Sequence, residues 1–340
     1  MKKLSILFIG LLLVPALFLT SCDRGDDLND TPIATPAFEL MKDYMVANNL
    51  DINNILTNTD GEKFVVGAPA EADLDAFLSK YYIMDIRSSA DFFTAHIEGA
   101  NNVPFSNVLT AASSTTKPIL VVCYSGQTAC YATALLRLYG YPNTRALKWG
   151  MSGWNPNTAG SWNGNIDNLA DGHSNWLFDG APKNITYTDP VISSTLTDGE
   201  AILKERVEAV VAAGFSPATA SAGDVLANPS GYFINNFFSE AHYNGFGHIA
   251  GAYRLNPFVL GDDSYKGLDS AANAKVVNYC YTGQTSAVLT ACLRVLGYDA
   301  YSLTFGMNKL FNDNPFWDDP EIKNQWGKDS NPKNLPILTN

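Results

Sequence analysis

The sequence predicts an α/β fold built from two similar domains, each a mostly parallel sheet flanked by helices. Apolar, β-branched stretches of strand length alternate with stretches of helical periodicity, an order typical of parallel sheets covered by helices. A segment around Cys123 recurs 157 residues later around Cys280. A repeat that long indicates duplicated domains, and 340 residues are enough for two.

The repeated unit is a buried strand, a cysteine, a short glycine-containing loop and a helix. In the first copy, the apolar strand is Pro118–Val122, and the predicted helix runs from Thr128 to Tyr139. The loop residues that we expect to bind substrate are Tyr124, Ser125, Gly126, Gln127 and Thr128 in the first copy, and Tyr281, Thr282, Gly283, Gln284 and Thr285 in the second. A helix N-terminus offers N–H groups and the positive end of a dipole, which bind anions and lower a thiol pKa. Cys123 and Cys280 are therefore candidate nucleophiles, and Thr128 and Thr285 are expected to cap their helices.

The first 22 residues have the pattern of a targeting segment. Lys2 and Lys3 precede the apolar run Leu4–Leu19, and Leu19-Thr20-Ser21-Cys22 resembles the lipobox of bacterial lipoproteins. We interpret 1–21 as a signal peptide, Cys22 as the lipid-modified (palmitate-bearing) N-terminus and 22–34 as a flexible tether. An ordinary secretory peptide and a single membrane anchor are the alternatives.

The acidic residues directly after Cys22 resemble the surface-export signal of Bacteroidetes lipoproteins. The expected location is the cell envelope, where the lipid would anchor the chain to the outer membrane on its periplasmic or surface face.

The net charge and the cysteine and histidine content argue against several kinds of partner and site. The net charge of −12 argues against nucleic acid or an anionic membrane surface. No CxxC pair exists and the histidines are not clustered, so we predict no metal site and no cofactor. Cys130 follows Cys123 by about 10 Å of helical rise, beyond disulfide reach, and Cys292 is farther still from Cys280. Cys130 and Cys292 are therefore expected to be core residues.

Changes in composition along the chain indicate where its domains begin and end. We predict a first domain over 35–160, a Gly/Asn-rich linker or flanking segment over 161–190, and a second domain over 191–340. Helices are expected over 36–48, 71–80, 88–93 and 198–213, and strands over 81–87, near 145–148 and over 231–235.

Four motifs in order give the first domain a resemblance to a known family. Strand-D-x-R, H-I-x-G-A, strand-C-x-x-G-x-[ST]-helix and G-x-x-x-W are similar to the rhodanese family of sulfurtransferases. The residues that carry them are Asp85-Ile-Arg87, His96–Ala100, Cys123–Thr128 and Gly150–Trp154. The resemblance implies a cysteine persulfide formed from an anionic donor, such as thiosulfate, polysulfide or mercaptopyruvate, and passed to a thiol or cyanide-like acceptor. It also implies that Asp85 and Arg87 support the loop, and that His96 and His248 orient turns.

The second copy departs from the family pattern. It gives Asn235-Asn236-Phe237 where Asp-x-Arg is expected, so the sequence favours a thiosulfate sulfurtransferase-like enzyme that acts chiefly through Cys123. Neither loop carries Arg or Lys, which leaves the donor open. The alternative is a non-catalytic, lipid-anchored binding or assembly module on the same fold, and the sequence names no protein partner.

Overall fold

The computed structural model describes residues 37–339. The predicted signal peptide, Cys22 and the tether lie outside the described residues. Between residues 37 and 339, no helix combines the length and the apolar character needed to cross a bilayer.

The helices and strands alternate along most of the chain. The α-helices are α1 Ala37–Ala47, α2 Ile52–Leu56, α3 Leu74–Lys80, α4 Ser89–Thr94, α5 Val108–Ala112, α6 Gln127–Tyr139, α7 Gly150–Trp154, α8 Gly160–Asn163, α9 Gly199–Ala213, α10 Ala222–Ala227, α11 Glu240–Phe246, α12 Gln284–Val295 and α13 Met307–Leu310. The strands are β1 Val65–Val66, β2 Tyr82–Asp85, β3 Asn101–Asn102, β4 Ile119–Val122, β5 Thr144–Leu147, β6 Trp176–Leu177, β7 Thr219–Ala220, β8 Phe233–Asn236, β9 His248–Ile249, β10 Val276–Tyr279 and β11 Ala300–Leu303.

Two parallel sheets form the two halves, and four strands of the first sheet follow the same order as the four strands of the second. The first sheet runs β1-β5-β4-β2-β3 and the second runs β7-β11-β10-β8. All neighbouring strands in both sheets are parallel, and β6 pairs with β9 separately as an antiparallel ribbon. This confirms the predicted fold class. The strand that precedes each cysteine, β4 or β10, lies in the interior of its sheet, where both faces are covered.

A layer of helices joins the inner faces of the two sheets. One core cluster contains Met41 of α1, Leu135 of α6, Val207 of α9 and Leu289 of α12, together with inward residues of both sheets. The outer faces of the sheets belong to two other clusters. Because α6 and α12 pack against each other within this layer, their N-terminal ends, and therefore the two cysteine loops, are brought together.

Segments of each half also reach the other half. Leu335 N donates to Trp154 O at 3.0 Å, and Leu338 forms a bridge with His96, so the end of the chain packs on the first sheet. Strand β6, from the stretch that composition marked as a linker, pairs with β9 beside the second sheet. The predicted domain boundaries stay a prediction.

Candidate active site

Cys123 lies where β4 ends, and its thiol faces the start of α6. Its Sγ accepts hydrogen bonds from the N–H groups of Gly126, at 3.1 Å, and Ala129, at 3.3 Å. Gly126 takes φ 86°, which lets the chain turn back over the sulfur, and a Cβ there would lie 2.9 Å from Trp149 N. The cysteine is 2% exposed. The expected placement of a thiol among converging N–H groups is therefore present.

The expectation of a lowered thiol pKa at Cys123 is wrong. Burial raises the pKa of Cys123, and the N–H groups of Ala129, Ser125 and Gly126 oppose that effect without overcoming it. The nearby Asp85 carboxylate adds to the increase. The sequence indicated the helix N-terminus, whereas the depth of the thiol depends on tertiary packing.

The loop of Cys280 repeats this geometry. Ser286 N lies 3.4 Å from Cys280 Sγ, the cysteine is 2% exposed, and Gly283 takes φ 74°. In both copies the residue before the helix is the left-handed glycine, which has no side chain to act as a cap. The prediction that Thr128 and Thr285 act as caps is therefore wrong, because each lies inside the first turn of its helix.

Short helices after β5 and β11 hold the carbonyl groups of the two loops. Met151 N donates to Cys123 O at 2.8 Å, and Ser152 Oγ donates to Tyr124 O at 3.0 Å. In the second copy, Met307 N donates to Cys280 O at 3.0 Å, and the Asn308 side chain donates to Tyr281 O at 2.7 Å. Sequence reasoning missed Ser152 and Asn308, although the repeated Gly-Met before each of them was an available signal.

The tyrosine that follows each cysteine is held by a different kind of contact in each copy. Arg87 forms a buried ion pair with Asp85, with Nη2 2.6 Å from the carboxylate, and its guanidinium lies 5.8 Å from the centre of the Tyr124 ring. Phe238 stacks on Tyr281 with ring centres 4.4 Å apart. A cation–π contact in one copy is thus replaced by an aromatic stack in the other.

The strand pairing also corrects the predicted register of the second copy. Asp85 lies opposite Val122, and Asn236 lies opposite Tyr279, each one residue before its cysteine. The residues that correspond to Asp85 and Arg87 are therefore Asn236 and Phe238, one position later than the sequence comparison placed them. Asn236 Nδ2 donates to Tyr279 OH at 2.7 Å, so this buried position has a neutral partner.

The two loops contact each other directly. Gln127 Oε1 accepts a hydrogen bond from Phe305 N at 2.9 Å, and its Nε2 donates to Ser125 Oγ at 3.1 Å. Trp162 Nε1 donates to Ser125 O at 2.9 Å. Gln127 was predicted to bind substrate, but both of its polar atoms are occupied by protein, so it ties the first loop to the turn that follows β11.

A family model matches both halves of the chain. The rhodanese-like domain model matches residues 70–157 and again residues 237–313, just under half of the chain in total. The chain carries two rhodanese-like domains. Each match contains one of the cysteine loops described above.

Several solved structures are similar to parts of this chain. A rhodanese-related protein from Thermoplasma volcanium has 22% identity and a TM-score of 0.22, covering 25% of this chain and 87% of that one. A thiosulfate sulfurtransferase from Pseudomonas aeruginosa has 16% identity and a TM-score of 0.28, covering 79% and 46%. A 3-mercaptopyruvate sulfurtransferase from Leishmania major has 14% identity and a TM-score of 0.25, covering 71% and 72%. Because these TM-scores are low, the domains are identified by the match of the rhodanese-like domain model and not by structural superposition.

The other predicted residues of the rhodanese-like domains lie around the loops. Tyr124 is 40% exposed, and its hydroxyl donates to Asp91 at 2.5 Å. Thr282 is buried, and its Oγ1 accepts from Gln284 N at 3.3 Å. Thr128, Thr285 and Tyr281 are half-buried, and Cys130 and Cys292 lie fully buried in the core between the domains, as predicted.

The two histidines of the H-I-x-G-A motifs pack against neighbouring aromatic rings. His96 stacks on Phe92 at 4.2 Å, and His248 stacks on Tyr243 at 3.9 Å. His248 Nε2 also lies 2.9 Å from an Asp179 carboxylate oxygen. Each ring therefore packs on a residue of the short helix that precedes it, and the role of the two histidines in orienting turns stays a prediction.

A cavity of about 420 Å³ opens beside the loop of the second rhodanese-like domain. Its lining combines that loop with the edge of the first domain; the residues are Leu56, Thr57, Lys63, Phe64, Val65, Lys148, Tyr281, Thr282, Gln284, Thr285 and Asn324. Two lysines line it and no Asp or Glu does. Sequence reasoning missed Lys63 and Lys148, because they lie far along the chain from Cys280.

Proposed function

We propose that this protein is a sulfurtransferase that moves a sulfane sulfur from an anionic donor to a thiophilic acceptor through a cysteine persulfide, chiefly at Cys123. The observation that carries the proposal is the pair of hydrogen bonds from Gly126 N and Ala129 N to Cys123 Sγ. N–H groups placed in this way stabilise a thiolate and the negative charge of a terminal persulfide sulfur.

The reaction has two balanced steps. With thiosulfate, the Cys123 thiolate forms a bond to the outer sulfur, the bond between the two donor sulfurs breaks, and sulfite leaves with the electron pair. An acceptor such as cyanide or a thiolate then attacks the terminal persulfide sulfur, and the Cys123 thiolate is released. Polysulfide and mercaptopyruvate are alternative donors for the same first step, and such a cycle gives ping-pong kinetics.

The proposed location is the cell envelope, with the chain anchored through a lipid on Cys22 at the periplasmic or surface face of the outer membrane. The lipobox-like sequence before Cys22 supports this location.

One observation favours a second candidate function. Both loop cysteines are 2% exposed, and burial raises the pKa of Cys123. A non-catalytic binding or assembly module requires neither an accessible thiol nor a thiolate, so these features fit such a module as well.

Intact-mass measurement separates the two functions. The purified protein is incubated with thiosulfate, polysulfide or mercaptopyruvate, beside Cys123→Ser and Cys280→Ser. A cyanide-labile gain of one sulfur, about 32 Da, that is lost in Cys123→Ser supports the enzyme. If no donor gives a cyanide-labile adduct on either cysteine, the enzyme proposal fails and the binding module stands.

A further inference from the structure

The cavity beside the second loop contains cationic groups without counter-ions. Lys63 and Lys148 both line it, and the described residues place no carboxylate within ion-pair distance of either ammonium group. Burial, and then the charge of Lys63, lower the pKa of Lys148. In a chain of net charge −12, this cavity is thus lined by two lysines and by no carboxylate.

Lys148 is held in position with donors to spare. Its Nζ lies 3.3 Å from Lys323 O and 5.2 Å from the centre of the Trp149 ring. An ammonium group has three N–H donors, and the carbonyl uses one of them. No other acceptor among the described residues uses the remaining donors, so they are open to a ligand.

Gln284 supplies an independent indication of a ligand. It is 3% exposed, it lines the cavity, and its Nε2 has no hydrogen-bond partner among the described residues. A buried amide donor without an acceptor costs free energy unless a bound group satisfies it. At the corresponding position of the first domain, Gln127 has both polar atoms satisfied.

The cationic pair belongs to one loop only. By strand register, Ala146 and Val65 of the first sheet correspond to Ser302 and Thr219 of the second. The positions that correspond to Lys63 and Lys148 are therefore Pro217 and Thr304, and neither carries a charge.

We propose that Lys63, Lys148 and Gln284 form an oxyanion-binding subsite of the second loop, which holds the sulfonate or carboxylate end of a sulfur donor for Cys280. This inference rests on the proposed sulfur transfer and extends it to Cys280. With thiosulfate, the Cys280 thiolate bonds to the outer sulfur and sulfite leaves with the electron pair. With mercaptopyruvate, the carbon–sulfur bond breaks, and the pyruvate enolate leaves with the pair and takes a proton from water. The first domain thus provides the anion recognition that the neutral loop of the second domain lacks.

Site-resolved mass spectrometry of persulfide labelling tests the subsite. In Lys148→Met and Lys63→Met, we expect the thiosulfate and mercaptopyruvate concentrations for half-maximal labelling of Cys280 to rise about tenfold or more, because a charge-assisted contact is lost. Lys148→Arg should retain labelling. Labelling of Cys280 by polysulfide, an anion with no oxyanion group, should change less than labelling by thiosulfate or mercaptopyruvate, and this also reports that the variants fold. Lys275→Met removes an exposed lysine outside the cavity and serves as the matched control.

A second measurement separates this inference from the proposed function. Sulfate is titrated calorimetrically into Cys123→Ser/Cys280→Ser, with and without Lys148→Met. If neither cysteine of the wild type is labelled, sulfur transfer fails, and Lys148-dependent sulfate binding alone upholds the subsite. The subsite is overturned if thiosulfate labels Cys280 equally well in the wild type and in Lys148→Met. It is also overturned if Lys148→Met binds sulfate as tightly as the protein with Lys148. Sulfur transfer stands in both cases.

Discussion

Gln127 of the first rhodanese-like domain accepts a hydrogen bond on Oε1 from the backbone N–H of Phe305 in the second, at 2.9 Å. Gln284, at the corresponding position of the other loop, leaves its Nε2 without a partner among the described residues. The two glutamines are equally buried, so they form a natural pair for comparison.

Gln127→Ala should lower the free energy of unfolding by about 1–2 kcal/mol more than Gln284→Ala does. Both substitutions remove the same atoms from a buried site, but only the first leaves the Phe305 N–H and the Ser125 hydroxyl without their partner. Urea unfolding followed by fluorescence measures the difference. Equal losses in the two variants would show that the hydrogen bond from Phe305 to Gln127 adds nothing to stability.

Gly126→Ala should destabilise the protein more than Gly140→Ala. Both glycines have positive φ, 86° and 114°, where a non-glycine residue costs about 1–3 kcal/mol. A Cβ at Gly126 would also lie 2.9 Å from Trp149 N, whereas nothing lies within 4 Å of one at Gly140. Thermal unfolding compares the two variants. A melting temperature for Gly126→Ala at or above that of Gly140→Ala would contradict the crowding of the first loop.

The double variant Asp85→Asn/Arg87→Phe, which carries the residues of the second domain at both positions, should be more stable than the single variant Arg87→Phe. Arg87→Phe alone leaves the fully buried Asp85 carboxylate without its ion pair, at a cost of about 3–5 kcal/mol. Adding Asp85→Asn reproduces the neutral Asn236 and Phe238 arrangement and should recover part of this cost. Unfolding free energies of the two single variants and the double variant complete the cycle. A double variant less stable than Arg87→Phe would refute the equivalence of the two arrangements.

The reactivity of Cys123 should continue to rise at alkaline pH. Burial raises the pKa of its thiol, so at any given pH less thiolate is present than at an exposed cysteine, whose pKa is about 8.5. Alkylation of Cys123 in a Cys280→Ser background, followed by mass spectrometry across a pH series, measures this profile. Full reactivity already at neutral pH would mean that the hydrogen bonds to the sulfur outweigh its burial.

Cys22→Ala should release the protein from the membrane fraction and abolish palmitate incorporation in cells that produce it. The expected lipid would be attached to this cysteine, so no other substitution in the tether should have both effects. Ser21→Ala keeps a small residue before the cysteine and serves as the control. Membrane retention of Cys22→Ala would favour an uncleaved membrane anchor instead.

Local patterns were sufficient to predict the fold and the position of both cysteines. Strand β4, helix α6 and the glycine that ends the helix are encoded by residues next to one another, and the repeat around Cys280 doubled that signal. The contacts that depend on packing between domains were not predictable from local pattern. The depth of Cys123, the bond from Gln127 to Phe305 and the meeting of Lys148 with the loop of Cys280 all join residues far apart in sequence.

The strand register of the second copy shows a second limit of prediction from sequence. The sequence comparison matched Asn235 to Asp85 because asparagine resembles aspartate, and the first of two adjacent asparagines was chosen. Only the pairing of Asn236 with Tyr279 fixes which asparagine occupies the position. A slip of one residue turns each side chain of a strand to the opposite face, so Phe238, and not Phe237, contacts the loop.

The packing of the last residues on the first sheet has a consequence for biosynthesis. Leu335 is buried against the first domain, and its backbone bonds to Trp154, some 180 residues earlier in the order of synthesis. The first domain therefore completes its packing only after the second domain has been synthesised. A chain that stops before Leu335 would expose the apolar surface that this residue covers, and it would be a substrate for chaperones and proteases.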